Sequence, residues 1–133
     1  MAEQTAKKII LIVDDMPLNL AAIKIILQDY YDIRPAKSAK TALSMLNIIK
    51  ADLILLDMEM PEMSGIECLT EIRHNPQYAA SRDIPVIFVT SHSSPEEWEK
   101  AKNAGAEDWV AKPVIPELLI SKVQAALAKE RPS

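Results

Sequence analysis

The stretch LILLDMEMPEMSG, residues 53–65, decides the fold class, because an unbroken aliphatic run ends on a carboxylate. Residues 53–56 are all leucine or isoleucine, which is typical of a strand covered on both faces in a parallel sheet. Pro61 and Gly65 follow, so the chain leaves the sheet soon after Asp57. An ionisable group therefore stands where a buried strand meets its loop.

Four more apolar runs alternate with segments of helical periodicity, which predicts five strand–helix units in succession. The predicted strands are Ile9–Val13, Asp32–Ala36, Leu53–Leu56, Ile84–Val89 and Glu107–Ala111. Strands that alternate with helices favour right-handed crossovers and a parallel sheet between layers of helices. Because no glycine-rich first loop is present, we expect an α/β fold with the flavodoxin-like strand order 2-1-3-4-5, flanked by five helices.

The helices are predicted from apolar residues spaced three and four positions apart. These stripes are Ile23, Ile26, Leu27 and Tyr30; Ala42, Met45, Leu46 and Ile49; Ile66, Leu69 and Ile72; and Ile120, Val123 and Leu127. The fourth helix is predicted from its start instead, with Ser94 as N-cap and Pro95 in the first position.

Composition and charge limit the function classes. The chain of 133 residues is 49% hydrophobic and 26% charged, as in one soluble globular domain. No apolar run reaches the ~20 residues that span a bilayer, and no secretory signal is visible. A net charge of -4 without a basic cluster argues against direct nucleic-acid binding. The lone Cys68 indicates a reducing compartment, so we expect a cytoplasmic protein. The pattern of strands and helices predicts one domain at residues 8–129, with tails at 1–7 and 130–133.

Polar side chains follow four of the predicted strands. They are Asp14 and Asp15 after the first, Asp57 after the third, Thr90 and Ser91 after the fourth, and Lys112 with Pro113 after the fifth. In an open α/β sheet, ligands bind at the carboxyl ends of strands where the strand order reverses, here between the first and third strands. Each residue alone could be a helix cap, a turn residue or a surface lysine. Their convergence on one edge favours a site.

Three crowded carboxylates repel one another, and the pKa of each rises unless a cation lies among them. Oxygen ligands with open positions favour Mg²⁺, which is typically held by one or two carboxylates plus a phosphate. Lys112 can neutralise a further anionic oxygen, and the Thr90 hydroxyl can donate to another. The set predicts a phosphoryl site in which Asp57 is the nucleophile.

Several segments, in order and at natural spacing, resemble the receiver domain of two-component response regulators. They are IILIVDDMPLN, LILLDMEMPEMSG, VIFVTS and WVAKP, and the resemblance covers residues 8 to about 129. It implies that Asp57 accepts a phosphoryl group from a sensor histidine kinase or a phosphotransfer protein. It also implies that a downstream partner reads the face formed by the fourth helix, fifth strand and fifth helix.

The resemblance implies a Mg²⁺ site in which Asp15, Asp57 and the backbone carbonyl of Glu59 are ligands, while Asp14 acts through water. It assigns Lys112 to a phosphoryl oxygen. It lets the Thr90 hydroxyl swing toward the phosphate with help from the Ser91 amide.

Further implications concern the loops and the switch. Gly65 would give the loop after the acceptor its backbone shape, and the Lys112–Pro113 peptide bond would be cis. Glu59 and His92 occupy positions that vary in the family and tune the lifetime of the phosphorylated state. Trp109 stands where the family usually carries Tyr or Phe as a rotating switch residue, and its bulk puts a simple rotation in doubt.

Residues expected to be packing rather than chemistry are Met16, Met58, Met60, Met63 and Cys68. Trp98 is expected to pack on the fourth helix or to belong to a partner-binding surface. Two rival functions remain beside the phospho-acceptor switch. One is a Mg²⁺-dependent phosphatase or phosphotransferase of the haloacid-dehalogenase type, but Glu59 replaces the second aspartate of such enzymes. The other is an inert interaction module, against which the complete set of site residues argues.

Overall fold

The computed structural model describes residues 7–91 and 94–129 and contains a five-stranded parallel sheet. The strands are β1 (Ile9–Val13), β2 (Asp32–Ala36), β3 (Leu53–Asp57), β4 (Val86–Thr90) and β5 (Asp108–Ala111). The order β2-β1-β3-β4-β5 confirms the predicted topology. The order reverses between β1 and β3, so a crevice forms at their carboxyl ends.

Five α-helices cover the sheet, and a 3-10 segment that the sequence did not predict joins α3 to β4. The helices are α1 (Pro17–Leu27), α2 (Ala39–Leu46), α3 (Gly65–His74), α4 (Pro95–Ala104) and α5 (Pro116–Ala128), and the 3-10 segment is Pro76–Ser81. Ser94 caps α4 as predicted, because its side chain accepts a hydrogen bond from the Glu97 N–H.

The core has two halves because the sheet is buried on both faces. Leu11 and Leu56 belong to the half that α2, α3 and α4 cover, and Ile12 and Leu55 belong to the half that α1 and α5 cover. Every residue of β3 and β4 is buried, which explains why their sequences are aliphatic without alternation. Each buried Leu or Ile contributes roughly 1.5–3 kcal/mol, so the strand ends are held on a rigid base.

Helix ends and registers differ from the prediction in places. Tyr30 and Ile49 continue the predicted stripes but lie beyond the ends of α1 and α2, and Tyr30 is 62% exposed. The chain must turn back there, since β2 begins only two residues after Tyr30. In α5, Leu119 and Ala126 are buried beside Val123.

Among the described residues, no helix has both the length and the apolar character needed to cross a membrane. The predicted tails, apart from Lys7, and His92 lie outside the described residues.

Candidate functional site

Three carboxylates meet at the carboxyl edge of the sheet, as predicted. Asp14 and Asp15 follow β1, Asp57 ends β3, and one oxygen atom of each lies within 4.8 Å of the others. The parallel pairing of Val13 with Leu56 brings these strand ends side by side. Asp14 is 2% exposed and Asp57 is 6% exposed, so two of the three charges are almost removed from water.

Lys112 reaches this cluster from the loop after β5. Its Nζ lies 2.8 Å from Asp14 Oδ2 and 3.4 Å from Asp57 Oδ1. Burial alone would lower the pKa of Lys112, but its hydrogen bond to Asp14 and the nearby carboxylate of Asp57 outweigh burial and raise that pKa. Lys112 therefore carries a positive charge at neutral pH. The following Lys112–Pro113 peptide bond is cis, which agrees with the implication of the resemblance.

Asp57 has an electrostatic environment that disfavours its ionised form. Burial is the largest cause of its raised pKa, and the neighbouring charge of Asp14 adds to it. Lys112 opposes this shift, as does the Glu59 N–H, which donates to Asp57 Oδ1 at 3.3 Å. The net direction remains upward. A further cation beside Asp57 would therefore be stabilising.

Thr90 and Ser91 lie at the same edge of the sheet. Thr90 is the last residue of β4, which pairs with β3 so that Val89 stands beside Asp57. Thr90 is 2% exposed, and its carbonyl accepts a hydrogen bond from the Lys112 N–H at 2.9 Å. Ser91 is exposed and begins the loop to α4. The ends of β4 and β5 are thus tied together beside the carboxylates.

The loop after Asp57 differs from the expectation for Gly65. The left-handed residue of this loop is Glu62, with φ 72°, whereas Gly65 is the first residue of α3. Gly65 is needed for close packing instead, since an added Cβ would overlap the Asp57 carbonyl and come within 2.8 Å of the Phe88 ring. Its N–H also donates to the Met58 carbonyl at 2.9 Å, which ties the start of α3 to the residue directly after β3.

Trp109 lies on β5 and packs against the core half under α2, α3 and α4. Lys122 of α5 approaches it from the side: its Nζ lies 5.5 Å from the centroid of the Trp109 ring and 2.6 Å from the Trp109 carbonyl oxygen. The same ammonium is 3.1 Å from Asp108 Oδ1, which also accepts a hydrogen bond from the backbone N–H of Trp109. Trp109 is half-buried, and the Lys122 ammonium lies within cation–π distance of its ring.

Sequence reasoning missed two polar residues near these groups, Asn19 and Lys122. Asn19 Nδ2 lies 3.4 Å from Asp14 Oδ1. An asparagine or lysine in a helix is ordinary surface composition, and only the tertiary structure shows what each one faces. The position of Asn19 in the first turn of α1, shortly after Asp14, is the one signal that could have pointed to it.

The residues expected to be packing are mostly so. Cys68 is fully buried and burial raises its pKa to about 12, which makes it an unreactive thiol. Met58 is buried, while Met60, Met63 and Trp98 pack against the core. The prediction that Met16 is packed was wrong. Met16 precedes α1, and its side chain is 52% exposed.

With this geometry established, comparison with known proteins identifies the family. The family model for the response regulator receiver domain matches residues 10–124. The chain therefore belongs to the response regulator receiver domain family and is a phospho-acceptor signalling domain of two-component systems.

Individual relatives and solved structures agree with this assignment. The chain is 45% identical over 129 residues to a probable cyclic di-GMP phosphodiesterase of Vibrio cholerae, covering 97% of this chain and 29% of that protein. It is 29% identical over 127 residues to the phosphate regulon transcriptional regulatory protein PhoB of Escherichia coli, covering 96% of this chain and 54% of PhoB. The structure of the chemotaxis protein CheY4 of Vibrio cholerae superposes with a TM-score of 0.82 at 31% identity, covering 91% of this chain and 99% of that one. The chain thus spans about a third to a half of these two curated relatives.

The raised pKa of Asp57 predicts how stability depends on pH when no metal is present. The folded state binds the Asp57 proton more tightly than the unfolded state, so this contribution is fully present below pH 3.8 and is lost as pH rises through the raised pKa. Asp57→Asn cannot titrate, so it should gain stability relative to the wild type over that interval. Urea unfolding of both proteins in EDTA measures the difference. Parallel stability curves would contradict the assigned environment of Asp57.

Proposed function

We propose that Asp57 is the phospho-acceptor and that it takes its phosphoryl group from the phosphohistidine of a sensor histidine kinase or a phosphotransfer protein. The observation that supports this most is the position of Asp57. It is buried at the end of β3, beside Asp14 and Asp15, with the Lys112 ammonium 3.4 Å from its Oδ1. A buried carboxylate at the carboxyl ends of the strands, held beside a fixed cation, is suited to nucleophilic catalysis.

The donor set fits a hard divalent cation. Three carboxylate oxygens within 4.8 Å carry more negative charge than the one Lys112 ammonium can balance. Asp15 and Asp57, with the Glu59 carbonyl, would hold Mg²⁺ directly, and Asp14 would act through water. When bound, Mg²⁺ would neutralise the negative charge of the phosphoryl oxygens during transfer. At a hundredfold excess over its dissociation constant it would also stabilise the fold by ~2.7 kcal/mol.

Beside the cation, the transfer involves residues of this chain and the phosphohistidine of the donor. A carboxylate oxygen of Asp57 attacks the phosphorus, the phosphorus–nitrogen bond of the donor histidine breaks, and the imidazole keeps the electron pair. Lys112 holds a phosphoryl oxygen, and the Thr90 hydroxyl and Ser91 N–H donate to others. The product is an aspartyl phosphate on Asp57, so the chain assists its own modification and acts on no free substrate.

The signal then passes from the site to the face of α4, β5 and α5. Thr90 moving toward the phosphate would disturb the end of β4, which is hydrogen-bonded to Lys112 and paired with β5. Trp109 lies on β5, and its ring and carbonyl contact Lys122 on α5. A shift of β5 would therefore change how Trp109 and Lys122 present this face to a downstream protein or effector domain.

The same observations argue against both rivals. A haloacid-dehalogenase-type enzyme places an acid/base aspartate two residues after its nucleophile, and that residue here is the exposed Glu59. An inert module would not need two buried carboxylates held against a lysine, which is a costly arrangement without a ligand. We propose further that the domain comprises residues 8–129 and that it works in the cytoplasm.

The acceptor is tested with acetyl phosphate in the presence of Mg²⁺. Asp57→Asn keeps the shape of the side chain and loses the nucleophile, so we expect no label, against stoichiometric labelling of the wild type on a phosphate-affinity gel. Asp83→Asn is the matched control, because Asp83 is exposed and lies before β4, at the opposite edge of the sheet. Equal labelling of wild type and Asp57→Asn would show that Asp57 is not the acceptor. Turnover of a free phosphate ester would favour the enzyme instead.

The output path is tested by fluorescence of Trp109. The chain has two tryptophans, so Trp98→Phe leaves Trp109 as the sole reporter. Titration with beryllofluoride and Mg²⁺ should change its emission, because the phosphoryl mimic draws Thr90 inward beside β5. Lys122→Met in the same background should change the resting emission by removing the ammonium from the ring. No response to beryllofluoride, in a sample shown separately to bind it, would mean that the signal does not pass through Trp109.

A second proposal concerns the activity that the domain controls. Identity to the probable cyclic di-GMP phosphodiesterase of Vibrio cholerae is 45%, against 29% to the transcriptional regulator PhoB. The alignment spans 97% of the chain and therefore covers the face of α4, β5 and α5 as well as the site. We propose that this receiver regulates cyclic di-GMP hydrolysis rather than DNA binding.

A chimaera tests this second proposal. This chain replaces the matching segment of the Vibrio cholerae protein, and cyclic di-GMP hydrolysis is measured with and without beryllofluoride. We expect the phosphoryl mimic to change the rate, and the change to disappear in the chimaera carrying Asp57→Asn. A chimaera that hydrolyses the dinucleotide at one fixed rate would contradict regulation through this receiver.

A further inference from the structure

Asp14 has a different set of partners on each of its two carboxylate oxygens. Oδ1 accepts the Met16 N–H at 2.9 Å and the Asn19 amide at 3.4 Å. Oδ2 accepts the Lys112 ammonium at 2.8 Å. The carboxylate is 2% exposed, so these protein donors replace most of its hydration.

Lys112 stands closer to Asp14 than to the acceptor. The two Nζ–oxygen distances are 2.8 Å to Asp14 and 3.4 Å to Asp57. Asp14 is therefore the anchor that fixes where the ammonium stands before a phosphoryl group arrives. Any group that sets the orientation of the Asp14 carboxylate also sets the position of Lys112.

The plane of an aspartate carboxylate is only weakly restricted by its own torsion, since rotation about Cβ–Cγ is broad. The Met16 N–H alone would hold Oδ1 at one point and leave this rotation open. Asn19 supplies a second donor to the same oxygen from the first turn of α1. Its own place is set there, because its backbone N–H donates to the Met16 carbonyl at 3.0 Å.

We propose that Asn19 is a positioning residue for phosphotransfer, which acts through Asp14 to hold Lys112 beside Asp57. This rests on the proposed role of Asp57 as acceptor. The Asn19 side chain donates to Asp14 rather than to Asp57. Its effect on the rate should therefore depend on the presence of the Asp14 carboxylate.

The test is a double-mutant cycle on the rate of phosphorylation by acetyl phosphate at saturating Mg²⁺. Asn19→Leu keeps the size of the side chain and removes the donor. It should slow phosphorylation by about two- to tenfold, the range expected for one hydrogen bond. In an Asp14→Ala background the same change should alter the rate less than twofold, because its target is gone. Gln28→Leu, an amide-to-alkyl change at the exposed far end of α1, is the control and should leave the rate unchanged.

Each outcome has a separate meaning. Wild-type protein without label on Asp57 would overturn the proposed function and this inference together. Labelled wild type with an equally fast Asn19→Leu would overturn the inference alone, as would the same slowing in both backgrounds. If Asp14→Ala abolishes labelling, the ¹⁵Nζ signal of Lys112 decides: Asn19→Leu must shift it and Gln28→Leu must not. An unmoved signal in Asn19→Leu would then overturn the role of Asn19.

Discussion

The structure depends on an imbalance of charge at the carboxyl edge of the sheet. One oxygen of each of three carboxylates lies within 4.8 Å of the others, and among residues 7–91 and 94–129 Lys112 is the ammonium that reaches them within ion-pair distance. Two of these acids are almost completely buried, so water screens their repulsion poorly. The resting site is therefore short of positive charge. Burial is the largest cause of the raised pKa of Asp57, the charge of Asp14 adds to it, and the shortage makes the site suitable for a divalent cation. The same shortage prepares it for chemistry in which a cation and a phosphoryl group enter together.

A fold must hold such a site against its own repulsion, and the doubly covered parallel sheet does so. β3 and β4 are buried throughout, and their pairing is fixed by the aliphatic residues of both core halves. Asp57 and Thr90, at the ends of these paired strands, are therefore held at the same edge of the sheet. Gly65 allows the start of α3 to pack directly against the end of β3. The apolar core thus offsets the electrostatic cost of the edge.

Much of this could be predicted from the sequence, since strand composition and order determine which ends converge. The predicted bounds of β1 and β2 agree with the structure, and Asp14, Asp15, Asp57 and Lys112 do meet. The local sequence pattern did not predict helix ends or side-chain partners that depend on the tertiary structure. Tyr30 and Ile49 fit a helical spacing but fall where the chain must turn toward the next strand. Asn19 and Lys122 are ordinary helix residues until the fold places Asp14 and Trp109 opposite them.

The proposed role of Asp57 as phospho-acceptor can be tested by chemical trapping. Protein incubated with acetyl phosphate and Mg²⁺ is reduced with borohydride, which converts an aspartyl phosphate to homoserine, and its peptides are sequenced by mass spectrometry. We expect homoserine at position 57 alone, and none when EDTA replaces Mg²⁺. Homoserine at another aspartate, or none at position 57 in a folded sample with Mg²⁺, would contradict it.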